Sequence, residues 1–180
     1  MNDKMDTNNS SILQLGKLDH YTMIVENAKK VSDFHCNVLG FKFKEIKPIN
    51  TGTVADGEYD MLNYILLLPD DDNVLCVITE GLNDDTVFSQ YLKKYGDGIH
   101  HMAYQTNNLK SDWQSCKENN IETTSSKIIV DQVSGLEQIF ISKKYTGYFI
   151  ELIERKEVVE KVNFTSDNMK KLSDTMKEYV

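Results

Sequence analysis

Cysteine is scarce in this chain: Cys36, Cys76 and Cys116 are the only three in 180 residues, far apart and without a CxxC spacing. An odd number at such separations argues against a disulfide framework or a structural zinc cluster and fits reduced thiols in a cytoplasmic compartment. No apolar run is long enough to cross a bilayer. The opening residues, MNDKMDTNNSSILQLG, lack the basic-then-apolar order of a signal peptide and read as a polar, frayed tail at 1–16. Positive charge is in deficit, with 20 Lys and Arg against 28 Asp and Glu and a formal net charge of −8. A surface of that sign repels nucleic acid and anionic membranes, so neither is expected as a partner. What is present, 40% hydrophobic and 27% charged residues, suits a soluble globular domain.

Two stretches follow the same order of parts. In the first, LDHYTMIV reads as a buried strand. NAKKVSDFHCNVLGF reads as a helix, because Val31, Phe34, Val38 and Leu39 recur at helical spacing and Gly40 supplies a C-cap with φ > 0. FKFKEI, MLNYILLL and NVLCVITE are strand-like, the last two joined by the turn PDDDN. In the second, IHHMAYQT is a strand and NNLKSDWQSCKENN a helix with Leu109, Trp113 and Cys116 on one side. IETTSSKI, GLEQIFIS and GYFIELIE complete it as three strands. DHYTMIV lies over HHMAYQT at an offset of 81 residues, and LCVITE over FIELIE, so each half is β-α-β-β-β. The expected fold is therefore α+β, with module 1 at about 17–81 and module 2 at about 97–155 forming one domain at 17–155. A linking helix at about 86–95 carries Phe88, Tyr91, Leu92 and Tyr95. A C-terminal helical extension at 156–180 carries Met169, Leu172 and Met176 on one stripe. These apolar stripes read as core packing.

Alternation along each strand sorts the polar residues. His20, Thr22 and Ile24 share one face, as do His101, Ala103 and Gln105, and Phe149, Glu151 and Ile153. By the same rule His100 faces away from His101, toward packing or solvent. Taken singly, each histidine is most simply a packed or surface residue. The repeat sets His20 and His101 in the same register, however, and a carboxylate within FIELI is costly to bury alone. Two imidazoles and one carboxylate on a common face make the facial triad that holds ferrous iron and leaves coordination positions open.

With these residues in view, the chain resembles the vicinal-oxygen-chelate superfamily from about Leu18 to Arg155. The resemblance is carried by LDHYTMIV, VSDFHCNVLGFKF, GDGIHHMA and TGYFIELIE. It implies a curved, half-open mixed β-barrel around a divalent metal, with ligand positions falling on His20, Val77, His101 and Glu151. Valine has no lone pair, so three ligands remain: His20, His101 and Glu151. Glyoxalase I and methylmalonyl-CoA epimerase use a fourth, Glu or Gln, whereas the 4-hydroxyphenylpyruvate dioxygenase branch uses three with Fe(II). LEQIFISKKYTGYFIELIERK, FSQYLKKYGDGIHHMAY and FTSDNMKKL are similar to that branch.

The resemblance implies a non-haem Fe(II) dioxygenase acting on a 2-oxo acid and dioxygen. Gln138, Phe140, Thr79 and Tyr64 would line the substrate pocket, and Met169 on the closing helix would act as a lid. GLNDDTVFSQYLKKYGDGIHHMAY is similar to the epimerase branch too. That alternative implies an epimerase or lyase using Co, Mn, Ni or Zn, with Glu58 or Asp60 as the proton-moving carboxylate. A third reading is a non-catalytic small-molecule-binding protein. Members of the superfamily close their sites within one chain or across a homodimer, so the resemblance leaves both arrangements open here.

Overall fold

β1 (Leu18–Ile24) and β5 (Gly98–Gln105) run antiparallel at the middle of an eight-stranded sheet, and the two halves unfold outward from that seam. The computed structural model describes residues 11–132, 134–156 and 165–179. The first ten residues of the expected tail and 157–164 of the expected extension lie outside them. After β1 come α1 (Ala28–Leu39), β2 (Lys42–Ile49), β3 (Met61–Leu67) and β4 (Leu75–Gly81). Then α2 (Val87–Tyr95) leads into β5, followed by α3 (Leu109–Glu118), β6 (Ile129–Val130), β7 (Leu136–Ile141), β8 (Phe149–Arg155) and α4 (Ser166–Met176). The strand order β2-β3-β4-β1-β5-β8-β7-β6 is symmetric about the seam. β1 pairs β4 in parallel, as β5 pairs β8, and the outer pairs are antiparallel, giving a curved, mixed, open α+β sheet.

Each helix begins at a residue suited to the task. The side chains of Asn27, Thr86, Asn108 and Thr165 accept the backbone N–H three residues on, satisfying donors that a helix start leaves free. Gly40 closes α1 at φ 79°, the left-handed conformation expected of it. The repeat extends to anchoring. Ala28 N–H donates to Glu80 at 2.8 Å, and Leu109 N–H donates to Glu154 at 2.9 Å. Each tie places a carboxylate from the module's last strand at its helix's positive end.

The pleat divides the core in two. Val25, Leu66, Cys76 and Ile78 pack outward with α1, and Ile139, Ile141 and Leu152 pack outward with Leu109 and Cys116 of α3. Ile24, Met61, Phe140 and Phe149 point inward, beneath Val87, Phe88 and Tyr91 of α2 and Met169, Leu172 and Met176 of α4. No helix among the described residues is long and apolar enough to cross a membrane.

Three expectations need correction. Of the α1 stripe only Val31 packs on the core; Phe34, Val38 and Leu39 are 52%, 64% and 47% exposed. The helix instead turns Ala28, Val31, Ser32 and Cys36 to the sheet, a rotation fitted to the Ala28–Glu80 tie. IETTSSKI is not a strand; only Thr123 bridges to Ile141, and pairing starts at Ile129. There Thr123 Oγ1 donates to Ser125 C=O and Ser125 Oγ to Lys127 C=O, so hydroxyls form local turns where a ladder was expected. In the expected tail, Leu13 packs on the α3 cluster and Gly16 N–H donates to Gln105 C=O at 2.7 Å.

Candidate metal centre

The expectation that His100 and His101 must face opposite ways fails at a β-bulge. Thr22 pairs with His101 and Met23 with Ile99, which makes His100 an extra residue in β5. A bulge locally suspends the alternation of faces. Both imidazoles therefore lie inside the sheet, with ring centroids 5.1 Å apart, and His100 packs against Phe88, Tyr91 and Phe149. A second bulge mirrors the first. Leu18 pairs with Tyr104 and His20 with Ala103, so Asp19 is the extra residue of β1.

His20, His101 and Glu151 converge from three adjacent central strands, and all are buried. His20 Nε2 lies 3.2 Å from Glu151 Oε2, His101 Nε2 lies 3.5 Å from the same oxygen, and the two Nε2 atoms are 3.3 Å apart. The centre of a triangle with edges near 3.3 Å is about 1.9 Å from each corner, so a point just off that plane meets all three at the roughly 2.0–2.2 Å of metal–nitrogen and metal–oxygen bonds. Glu151 Oε2 is buried and makes no hydrogen bond of normal geometry despite these close neighbours. Such an atom costs several kcal/mol unless a cation or a proton meets it. The residues thus fit a divalent metal bound by two imidazoles and one carboxylate.

The electrostatics match. Burial would lower the His20 pKa, but the Asp19 hydrogen bond and the Glu151 contact outweigh it and hold the value up at about 9. Burial pushes His101 well below its ordinary value, and the neighbouring His100 and His20 push the same way. Burial, with Lys143 nearby, takes His100 down to about 3. Burial would raise Asp19, yet its bonds to His20 and Arg155 hold it below the usual carboxylate range. Without metal, one proton on His20 serves the anionic side of the triad, and a metal would displace it.

His101 and Glu151 of the triad line a cavity of about 30 Å³, room for roughly two waters. Its wall includes Gln138, Phe140, Thr79, Met169 and Val77. Tyr64 is not there. It sits on the outward face of β3 in the α1 cluster, because alternation turns Asn63 inward. Glu58 is an exposed loop residue outside that wall. Asp60 is buried but committed: it accepts Thr51 N–H and Oγ1, each at 2.7 Å, and Thr53 N–H and Oγ1. Those bonds hold its pKa down against burial and leave it unsuited to take a proton.

Two wall residues escaped the sequence reading. Asn63 accepts Thr79 Oγ1 at 2.6 Å and pairs with Thr79 as Gln138 pairs with Ile153, so it is the counterpart of Gln138 under the repeat. Aligning β3 on β7 would have found it. Asn168 of α4 accepts Gln138 Nε2 at 2.9 Å, while its own buried Nδ2 has no partner among the described residues. It lies beside Met169 on a stripe chosen for its apolar residues, and nothing in the sequence singles it out.

Comparison with known proteins agrees with this architecture. Residues 17–141 match the family described as the Glyoxalase/Bleomycin resistance protein/Dioxygenase superfamily. The uncharacterized protein YqjC of Bacillus subtilis is 26% identical over 79% of this chain and 94% of its own length. A 4-hydroxyphenylpyruvate dioxygenase of Xenopus tropicalis is 24% identical over 70% of this chain, a match that spans 30% of that enzyme. The mitochondrial methylmalonyl-CoA epimerase of Mus musculus is 24% identical over 77% of this chain and 72% of its length. The crystal structure of protein BH1468 from Bacillus halodurans superposes with a TM-score of 0.64 at 22% identity, covering 80% of this chain and 97% of that one. Matched by the family over most of its length, with the eight-stranded sheet built from two β-α-β-β-β halves, the chain belongs to the glyoxalase/bleomycin resistance protein/dioxygenase superfamily.

Proposed function

We propose that the chain is a non-haem Fe(II) dioxygenase acting on a 2-oxo acid. The observation that carries this reading is the composition of the cavity wall. Three metal-ligating side chains converge, Val77 lines the cavity from the place in β4 equivalent to Glu151 in β8, and Glu151 is the only carboxylate on the wall among the described residues. A three-ligand set leaves adjacent positions for a bidentate 2-oxo acid and for dioxygen. An acid–base isomerase needs a second group to move the proton, and among the described residues this wall offers none beyond the triad.

Held by His20, His101 and Glu151, Fe(II) would supply the activation of dioxygen that oxidative decarboxylation of a 2-oxo acid requires. The chain's own residues do the rest. Val77 withholds a donor and keeps one side of the centre free for substrate. Phe88, Phe140, Met169 and Leu172 form the apolar part of the wall. Gln138 and Asn168 present amides that can bind a polar group on the substrate, the unpartnered Nδ2 of Asn168 in particular. The cavity is far smaller than a 2-oxo acid with an aromatic substituent, so α4, which supplies Asn168, Met169 and Leu172, acts as a lid that must move for entry.

A second reading, a divalent-metal epimerase of acyl-CoA thioesters, is favoured by the extent of the matches. The similarity spans 72% of the mouse epimerase and 30% of the dioxygenase. One pair of assays separates the two. Anaerobically purified protein given Fe(II) is offered a panel of aromatic and aliphatic 2-oxo acids in an oxygen electrode. In parallel, solvent deuterium is followed into methylmalonyl-CoA. Stoichiometric oxygen uptake with release of carbon dioxide supports the dioxygenase; deuterium incorporation without oxygen uptake overturns it in favour of the epimerase.

A further inference from the structure

Each of the two bulges moves one residue to the inner side of the sheet, and each such residue immediately precedes a histidine of the triad. Asp19 Oδ1 lies 2.9 Å from His20 Nδ1, and His100 Nδ1 lies 2.8 Å from His101 Nδ1. Asp19 and His100 are counterparts under the repeat, at the same offset as His20 and His101. In both modules, then, the ring nitrogen facing away from the triad is held by the preceding side chain, and Nε2 is left to face Glu151.

We propose that Asp19 and His100 are positioning residues, which fix the tautomer and the ring orientation of His20 and His101 and thereby set the strength of metal binding. The inference rests on the metal-site reading above and adds that the two imidazoles are unequal ligands. An imidazole that ligates through Nε2 carries its proton on Nδ1, so Nδ1 needs an acceptor. His20 has a carboxylate, and that carboxylate is itself fixed. Asp19 accepts Arg155 Nη2 at 2.9 Å on Oδ1 and Gln105 Nε2 at 3.1 Å on Oδ2. Arg155 is the only arginine in the chain and ends β8, the strand that carries Glu151, so the clasp also joins the two modules.

His101 has only a neutral imidazole behind it. His100 is enclosed by Phe88, Tyr91 and Phe149, a setting that disfavours charge. His101 Nδ1–H donates to His100 Nδ1, which leaves the His100 proton on its Nε2. An anionic acceptor makes its imidazole the more basic ligand, so His20 is the firmly held corner and His101 the weaker one.

The test uses the full chain with Co(II) as probe. Affinity is read by competition with a chromophoric chelator, and the ligand field by the visible absorption of the cobalt form. Asp19→Asn weakens binding about 10–100-fold and shifts the cobalt spectrum, while His100→Leu weakens it about tenfold. His100→Gln, which restores an acceptor, returns affinity to about the wild-type level. These losses are judged at equal thermal stability of the metal-free proteins, a comparison that a merely structural role would not survive. Unchanged affinity and spectrum in Asp19→Asn and His100→Leu overturn the inference while leaving the metal site intact, provided His20→Ala abolishes binding. Failure of the wild-type chain to bind Co(II) overturns the metal-site reading and this one with it. Should Asp19→Asn not fold, Arg155→Met frees the same carboxylate from the sheet's rim. Weaker Co(II) binding in that variant supports the inference, and unaltered binding overturns it.

Discussion

Val77 and Glu151 stand at equivalent places in the two halves of the sheet: Val77 pairs with Ile65 across β3 and β4, and Glu151 pairs with Phe140 across β7 and β8. In the proposed metal site one half would therefore contribute a carboxylate and the other a valine, leaving three protein ligands.

Restoring the symmetry should change both stability and chemistry. In Val77→Glu a second carboxylate is buried in the cavity wall, and an unpaired buried charge costs about 3–5 kcal/mol. The metal-free variant should melt well below the wild type, and divalent metal should raise its melting temperature by more than it raises the wild type's. Oxygen uptake should fall at least about tenfold, because a coordination position is filled. Calorimetry with and without Co(II), followed by the oxygen electrode with Fe(II), checks each part. Wild-type oxygen uptake in this variant would count against the open fourth corner.

Asp60 separates the two functional readings from another side. Its carboxylate ties Thr51 and Thr53 in the loop before β3 and does not line the cavity. Asp60→Asn should cost about 1–3 kcal/mol in urea unfolding, the penalty for disturbing a satisfied buried acceptor. Metal affinity and turnover per folded molecule should stay as they were. Loss of turnover with stability intact would restore Asp60 as a proton-moving group.

The metal-free protein should be most stable near pH 6.5 and lose stability on both sides. His100 titrates at about 3 when folded against 6.5 when unfolded, so the unfolded chain takes up the proton first as the pH falls. Stability is therefore lost progressively from 6.5 down to about 3. His20 has the opposite sign, with a folded value of about 9 against 6.5, so its contribution is full below 6.5 and disappears as the pH rises to about 9. Bound metal displaces the His20 proton, and so should raise the melting temperature more at pH 8.5 than at pH 6. Thermal melts across this range, with chelator and with Co(II), measure both limbs. A metal increment that does not grow with pH would contradict the assignment of the proton to His20.

Much of the fold was legible because the signal was duplicated. Strand periodicity, the Gly40 cap and the shared order of parts each appear in the chain, and the repeat sets His20 and His101 in the same register. Glu151 stands out as a carboxylate flanked on both sides by apolar pairs, FI and LI. Bulges are where that reading fails, since register belongs to a pair of strands and cannot be seen in one. That is why face alternation alone turns His100 the wrong way and does not mark Asp19. Tyr64 was misplaced for a related reason: in MLNYILLL the polar and apolar residues do not alternate cleanly, and only pairing with β4 fixes Asn63 inward. The Ser/Thr run at 123–126 has the β-branched content of a strand, but its hydroxyls bond locally. Asn168 depends on how α4 docks, which no local pattern encodes.

The most direct test of the account is anomalous diffraction at the iron edge from crystals grown anaerobically with Fe(II). The account predicts one peak per chain, about 2.0–2.2 Å from His20 Nε2, His101 Nε2 and Glu151 Oε2 and without a protein ligand on the Val77 side. A chain that takes up no iron, or a peak held by other residues, would contradict it.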